Sequence, residues 1–555
     1  MKTNRTVAII LAASLVAGIV KGQNDPVERG LNAITKEAIK GQLDFLASDF
    51  MEGRETTTKG EFIAGDFIAT VFQISGVQPG GDMGPARFRK DTWSITEPGG
   101  YPKMIRTPGS LTYFQKISFV LTVKSESSME IISLEGPVER KLLLEEGKDF
   151  QIQGGKMNQE LTSPVVFIGY GYKNDSIGYD DFKGIDVRGK IVIRLSGLPG
   201  GSDKLSLAFD KLNLKDRTSY QAQNLRKIKE DLIKTSGAAA IIIMEPMTPG
   251  LPVSLPNSLE PIKYIMTLKL SLPPDSIQSS IPNIRIDPKI GDELLKDSGI
   301  NLKEFTKNAA KLKTGSKELK GRIVHLKMEK TTQSLPGRNV IARIEGENPN
   351  EVIVVGAHYD HLGRSDDKIF NGADDNASGT VGVLTMAKAF MASGVKPKRT
   401  IIFAAWTGEE YGLLGSEYFV RKFPQMENLL LNLNFDMISR RPERDTSGFK
   451  VEMEYTESCQ VLKDLVLKAN DKYNLGLEFK FSPSMKPKGG SDFQSFSDRD
   501  VPIYSFDAAT TSDYHGPEDH SDKANLDLMQ KIIKAGFVSL YELANSDQKI
   551  RSTNK

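Results

Sequence analysis

Residues 352–361 read Val-Ile-Val-Val-Gly-Ala-His-Tyr-Asp-His, an apolar run that passes without a spacer into imidazoles and a carboxylate. The run is short and β-branched, which predicts a buried strand, and the polar residues fall just beyond its end. Similar runs follow at Thr400–Trp406, Leu429–Phe435 and Pro502–Phe506, separated by helical patterns at Gly379–Met391, Gly412–Phe419, Ser458–Tyr473 and Asn525–Leu543. Alternation of this kind predicts an α/β domain over about 321–545, with a mixed, largely parallel sheet sandwiched by helices. In such sheets ligands bind beyond the carboxyl ends of the strands.

Each of those strand ends carries a carboxylate or an imidazole. His358, Asp360 and His361 follow the first strand, and Asn371-Gly-Ala-Asp-Asp-Asn-Ala-Ser-Gly379 is an acidic turn that opens a helix. Glu409 and Glu410 follow the second strand, Asp436 the third, and His515 lies in Tyr514-His-Gly-Pro-Glu-Asp519 after the last. Nitrogen and oxygen donors without a thiolate suit zinc better than copper or an iron–sulfur cluster. The number of candidates suits two ions, since two cations about 3.5–4 Å apart need anionic ligands and a bridging carboxylate. Two histidines and three acids would offset the charge of two divalent ions almost completely, leaving a fourth acid to move protons. Of the adjacent pair Glu409 and Glu410, one can ligate while its neighbour stays free. Asp360 can orient His358 by accepting its second ring N–H.

The segments His358-Tyr-Asp, Gly372-Ala-Asp-Asp-Asn-Ala-Ser-Gly, Gly408-Glu-Glu-Tyr-Gly-Leu-Leu-Gly-Ser, Asn434-Phe-Asp-Met and Tyr514-His-Gly-Pro-Glu-Asp, in this order, resemble the co-catalytic di-zinc aminopeptidase family. Bacterial leucyl aminopeptidases and glutamate carboxypeptidase II are related to it. The resemblance implies Asp375 as the bridging carboxylate, Glu410 and His515 on one zinc, and His358 and Asp436 on the other. It implies Glu409 as the general base, Asp360 as the partner of His358, and a cis peptide bond between Asp375 and Asn376. Many relatives have Gly-Ser-Asp-His before the last strand, where this chain has Gly490-Ser-Asp-Phe493. The family's opening helices are resembled by Asp44-Phe-Leu-Ala-Ser-Asp49 and Met51-Glu-Gly-Arg54. A protease-associated (PA) insert is resembled by Gly169-Tyr-Gly, by Tyr179–Lys190 and by Ser236-Gly-Ala-Ala-Ala240.

The wider chain fits an exported hydrolase. It has 555 residues, of which 39% are hydrophobic and 26% charged, as in globular proteins. Lys and Arg total 73 against 71 Asp and Glu, so no positive excess points to nucleic acid or an anionic membrane. A single cysteine, Cys459, excludes an intramolecular disulfide, and on an apolar helix it reads as a small buried hydrophobe. Lys2 and Arg5 precede the apolar run Val7–Val20, with Val20 and Gly22 at the −3 and −1 positions of a signal cleavage site. Cleavage there leaves the protein free of the membrane. Residues 34–76 read as two helices, with Phe62, Ile63, Phe67, Ile68, Val71 and Phe72 as a core stripe, and residues 77–112 as irregular.

The expected organisation is therefore a signal peptide (1–22), an N-terminal part of the peptidase domain (23–130), a β-rich PA-like insert (131–320), the zinc peptidase domain (321–545) and a polar tail (546–555). His325 reads as structural, and His361 and His520 as structural or rim residues. The expected activity is removal of N-terminal residues from peptide substrates. A carboxypeptidase, a glutaminyl cyclase-like transferase and a receptor on a peptidase scaffold stand as alternatives.

Overall fold

The computed structural model describes residues 25–90, 104–107, 109–155, 158–201, 203–212, 214, 228–245, 269–273, 281–441, 445–508 and 510–550. The expected signal peptide lies outside the described residues. The chain divides into two compact units, one of residues 1–119, 264–272 and 334–555, the other of residues 120–263 and 273–333. The sequence reading put these boundaries at 131 and 320. The strands Phe114–Glu135 and Lys317–Ile344 run through those two points.

In the first unit, the strands stand in the order Glu478–Ser484, Lys450–Thr456, Ile503–Asp507, Leu429–Phe435, Asn348–His358, Arg399–Trp406 and the end of Lys317–Ile344. Parallel pairs join Asn348–His358 to both Arg399–Trp406 and Leu429–Phe435, and Leu429–Phe435 to Ile503–Asp507. The strand Lys450–Thr456 is antiparallel to Ile503–Asp507 and parallel to Glu478–Ser484. The mixed, largely parallel sheet expected from the sequence is thus present. It gains Lys450–Thr456 and Glu478–Ser484, which the sequence reading did not pick out because each alternates charged with apolar residues.

Both faces of this sheet are buried. Ile353, Val355 and Ala357 join Phe403, Phe390, Ile533 and Phe537 in one core. Val352 and Val354 turn to the other side, onto Trp406, Phe419 and Phe496. Two-sided burial is why these strands read as continuous apolar runs. The first core is covered by the helices Gly379–Ser393 and Leu526–Asn545, and by Lys36–Leu46 and Lys59–Ile74 from the start of the chain. Asn525 caps Leu526–Asn545 by accepting from the Leu528 N–H, and Thr35 caps Lys36–Leu46 from the Ala38 N–H. Within the expected irregular stretch, Arg87–Lys90 pairs with Met104–Thr107 as a two-stranded ribbon.

The second unit has its own core. Parallel strands Asn158–Phe167, Ile191–Leu195, Ala240–Met244 and Asn283–Ile286 pack Val165, Phe167, Ile193 and Ile242 against Phe305 of the helix Leu302–Ala309. Lys303, Lys307 and Lys311 around that helix are exposed, as a solvated face should be. Asp181 is buried here, accepting from the N–H groups of Tyr170 and Tyr172. Among the described residues, no helix is long and apolar enough to cross a membrane.

Candidate metal centre

Strand ends at one edge of the first unit's sheet supply the site. His358 is the last residue of its strand, Asp436 follows Phe435, and Glu409 and Glu410 lie three and four residues beyond Trp406. Asp375 sits in the turn before the helix Gly379–Ser393, and the peptide bond after it is cis, as the resemblance implied. His515 adopts a left-handed backbone (φ 55°) and stacks on Tyr514 with ring centroids 3.8 Å apart. These six side chains line one cavity of about 350 Å³.

Asp375 stands between two imidazoles. Its Oδ1 lies 3.3 Å from His358 Nε2, and its Oδ2 lies 3.1 Å from His515 Nε2. On the His358 side, Asp436 Oδ1 approaches Nε2 to 3.5 Å and Glu409 Oε2 to 3.9 Å. On the His515 side, Glu410 Oε2 lies 3.3 Å from Nε2. Each imidazole therefore faces one oxygen of the shared carboxylate, with Glu410 beside His515, and Asp436 and, farther off, Glu409 beside His358. Nitrogen and carboxylate atoms converging within a few ångströms, in a buried place with no thiolate, fit divalent zinc. The electrostatics are those of a cation site. Burial lowers the His515 imidazole, but hydrogen bonding to Asp375 and Glu410 outweighs it and brings the group up to about 10. Burial and the neighbouring Glu410, Asp492 and Asp436 carboxylates hold Glu409 well above the ordinary range, against the opposing pull of His358.

The surroundings fix these groups in place. Ser491 donates to Asp436 Oδ2 at 2.6 Å and accepts from Asn434 Nδ2 at 2.8 Å. Asp519 accepts from the N–H groups of Asp374 (2.9 Å) and Asp375 (3.2 Å), and from Arg440 Nη2 at 2.9 Å. Gly372, at φ 55°, has no room for a side chain, since a Cβ there would meet the Asp375 carbonyl at 2.1 Å. The fully buried Arg54 donates to the carbonyls of Tyr359 (2.8 Å), Leu46 (2.6 Å), Asn371 (2.6 Å) and Gly372 (2.9 Å). Burial lowers that guanidinium to about 10 while the carboxylates nearby oppose the shift. Glu61, buried on the helix Lys59–Ile74, bonds to the Thr407 hydroxyl and accepts from the Thr57 N–H at 2.7 Å.

Two expectations are revised by this geometry. The carboxylate of Asp360 does not accept from His358. It takes the Thr56 hydroxyl at 2.7 Å and the Glu409 N–H at 3.2 Å, and stands 3.8 Å from His358 Nδ1. The strand ends at His358, and the turn beyond it brings the main-chain carbonyl of Asp360 to Nδ1 instead, at 3.1 Å. His361 is not at the rim. It is fully buried, its Nδ1 lies 2.7 Å from Glu410 Oε1, and its Nε2 has no partner among the described residues. With Asp375 and Glu410 it forms a further group of potential metal donors. His325 bonds Thr162 and Cys459 donates to the Ile550 carbonyl, and neither lines the cavity.

Phe493, where many relatives have histidine, is buried in the cavity wall. The sequence reading missed Arg54, Glu61, Ser491 and Asp519 as positioning residues. Arg54, Ser491 and Asp519 fall inside the motif segments, but no spacing rule says which groups a buried polar side chain will hold.

Comparison with known proteins agrees with the motif resemblance. Residues 339–537 match the family model described as Peptidase family M28. The probable leucine aminopeptidase 2 of Trichophyton verrucosum (strain HKI 0517) is 34% identical over 143 residues, 25% of this chain and 26% of that protein. Leupeptin-inactivating enzyme 1 of Streptomyces exfoliatus is 30% identical over 175 residues, 31% of this chain and 36% of that protein. The chain thus spans between a quarter and two fifths of the length of these relatives. Among solved structures, an aminopeptidase from Aneurinibacillus sp. strain AM-1 aligns over 95% of this chain and 98% of its own, at 19% identity and a TM-score of 0.47.

Proposed function

We propose, from the Peptidase family M28 match of residues 339–537, that this protein is an exported zinc-dependent aminopeptidase that releases N-terminal residues from peptides. The observation that carries the reading is the placement of Asp375 between His358 and His515, one carboxylate oxygen toward each. Asp375 would be shared by two zinc ions, with His358 and Asp436 completing one set and Glu410 and His515 the other. Bound there, zinc supplies Lewis acidity that polarises the scissile carbonyl and acidifies the attacking water.

The protein's own groups do the rest. Glu409, within 3.9 Å of the His358 ring and outside both ligand sets, takes the proton of the attacking water and passes it to the leaving amine. Asp360 holds the Glu409 main chain with its carboxylate and the His358 ring with its carbonyl, so one residue aligns both. The described residues lining the cavity include no lysine or arginine, which a carboxypeptidase needs for the terminal carboxylate. That favours the aminopeptidase over the carboxypeptidase. We read the unit of residues 120–263 and 273–333 as a PA-like insert on its sequence motifs, and residues 1–22 as a signal peptide removed on export.

The test is mass analysis of products from a free-amine peptide and its N-acetylated twin, with chelator and with zinc returned. Stepwise loss from the N-terminus of the free peptide alone, stopped by chelator and restored by zinc, is the expected result. Cleavage of both peptides from the C-terminus would overturn it.

A further inference from the structure

The cavity is more acidic than its metal chemistry requires. Seven carboxylates line it, among described residues that include no lysine or arginine. Four of the seven have roles in the proposed reaction. The others, Glu452, Glu454 and Asp507, come from the sheet beyond Asp436. Two divalent ions would offset four of the seven, and Lys480 pairs with Glu452, which leaves Glu454 and Asp507 without an ion pair among the described residues.

These acids share one face of the sheet. Along Lys450–Thr456, Val451, Met453 and Tyr455 point into the core, so Glu452 and Glu454 point the other way. Glu452 lies directly across from Asp507, and Glu454 from Ser505. Acids facing each other on adjacent strands have Cβ atoms roughly 5 Å apart and repel.

Glu452 has partners outside, Lys480 Nζ at 2.8 Å and the Ser482 hydroxyl at 2.5 Å. Glu454 has no ion pair among the described residues and accepts from the Lys488 main-chain N–H, and the Gly489–Gly490 turn lies over it, with a Cβ at Gly489 falling 3.8 Å from Oε2. Burial and Glu452 raise the Glu454 carboxyl to about 7. Asp507, largely buried, has no hydrogen bond or ion pair from its side chain among the described residues, yet it lines the cavity. An unpaired buried acid opposite another acid costs a fold stability unless it keeps a proton or a cation comes to it.

Distance separates the candidate cations. The Asp436 strand, the Asp507 strand and the Glu454 strand are successive neighbours, so Glu454 stands about two strand spacings, roughly 10 Å, from the Asp436 strand. A substrate's α-ammonium is bonded to the carbon beside the scissile carbonyl and stays at the histidine end. A lysine ammonium lies roughly 6 Å from its own Cα along an extended chain and crosses to the second acidic group. Phe493 and Met437 on the cavity wall offer apolar surface for the methylene stem of such a side chain.

We propose that Asp507 and Glu454 form an anionic side-chain subsite that selects peptides whose N-terminal residue is lysine or arginine. This inference rests on the aminopeptidase reading above and names the substrate class of that same site.

The test compares kcat/KM of the zinc-loaded full-length protein for lysyl, arginyl, leucyl and norleucyl amidomethylcoumarin. Norleucine has the lysine stem without the ammonium. Lysyl and arginyl substrates are expected to exceed norleucyl by at least tenfold. Asp507→Asn and Glu454→Gln should each lower the lysyl-to-norleucyl ratio about tenfold or more, chiefly through KM. A wild-type ratio at or below one, or a ratio unmoved in both variants, overturns the proposal. If no aminoacyl substrate is cleaved, the aminopeptidase reading fails, and calorimetric binding of lysinamide against norleucinamide still decides the subsite. Lysinamide tighter by tenfold in the wild type, with that preference lost in Asp507→Asn, upholds it. Equal binding overturns it.

Discussion

The Asp519 carboxylate accepts the main-chain N–H of Asp375 at 3.2 Å, so the acid proposed to be shared by two ions is itself held by a second acid 144 residues away. Asp519 also takes the Asp374 N–H and the Arg440 guanidinium, which balances its charge. Asp519→Asn would turn an amide donor toward one of these donors. It should weaken zinc binding about 10–100-fold, the usual effect of losing an outer partner of a ligand. Zinc titration with a competing chelator measures it, and unchanged affinity would remove Asp519 from the positioning role.

Glu409→Gln separates chemistry from metal binding. The variant should retain the zinc content of the wild type by elemental analysis and lose about 10²–10⁴-fold in kcat, the range general-base catalysis contributes. Near-normal turnover would sink the base assignment.

Arg54 is a fold residue with a functional address. It bonds four carbonyls, three of them in the segments that carry His358 and Asp375. Arg54→Leu leaves those carbonyls unpaired in a dry place, at about 1–3 kcal/mol for each one that no water reaches. Arg54→Lys keeps the charge but lacks the planar fork. Both should lower the chemical-denaturation midpoint, the lysine variant less.

The second unit should carry its own pH dependence through Asp181. Burial raises this carboxyl to about 7, against hydrogen bonds from Tyr172 and Tyr170 that lower it. Between about pH 4 and 7 the unfolded chain has lost a proton that the folded unit still holds. Stability therefore falls as pH rises through that window, by at most about 1.4 kcal/mol per pH unit. Asp181→Asn removes the proton and should flatten the curve, gaining on the wild type as pH rises. Melting scans from pH 4 to 8 check the sign.

Export makes a direct prediction too. Mature protein recovered from outside the cytoplasm should begin at Gln23, as read by intact mass.

Much of this was legible because buried parallel strands write long apolar runs and the chemistry follows them. His358, Glu409, Glu410, Asp436 and His515 were readable as residues beyond strand ends and Asp375 as part of an acidic turn opening a helix, and the structure brings all six into one cavity. The strand Glu478–Ser484, which opens Glu-Phe-Lys-Phe, was not read, because its half-exposed alternation looks like a loop. The fates of Asp360 and His361 were hidden for a different reason. Two residues past a strand end, a turn decides whether a side chain or a carbonyl meets the ring. Burial of His361 depends on Gly372, eleven positions later, packing against its ring.

The span between Arg54 and His515 has a consequence for biogenesis. The groups that shape the metal centre are separated by more than four hundred positions, so no nascent fragment short of the His515 loop contains them all. Contacts this distant in sequence close late. The centre therefore closes only after the His515 loop has been made and has met the Arg54 end of the chain. Under the proposed export, metal loading becomes a property of the destination compartment, set by its zinc supply.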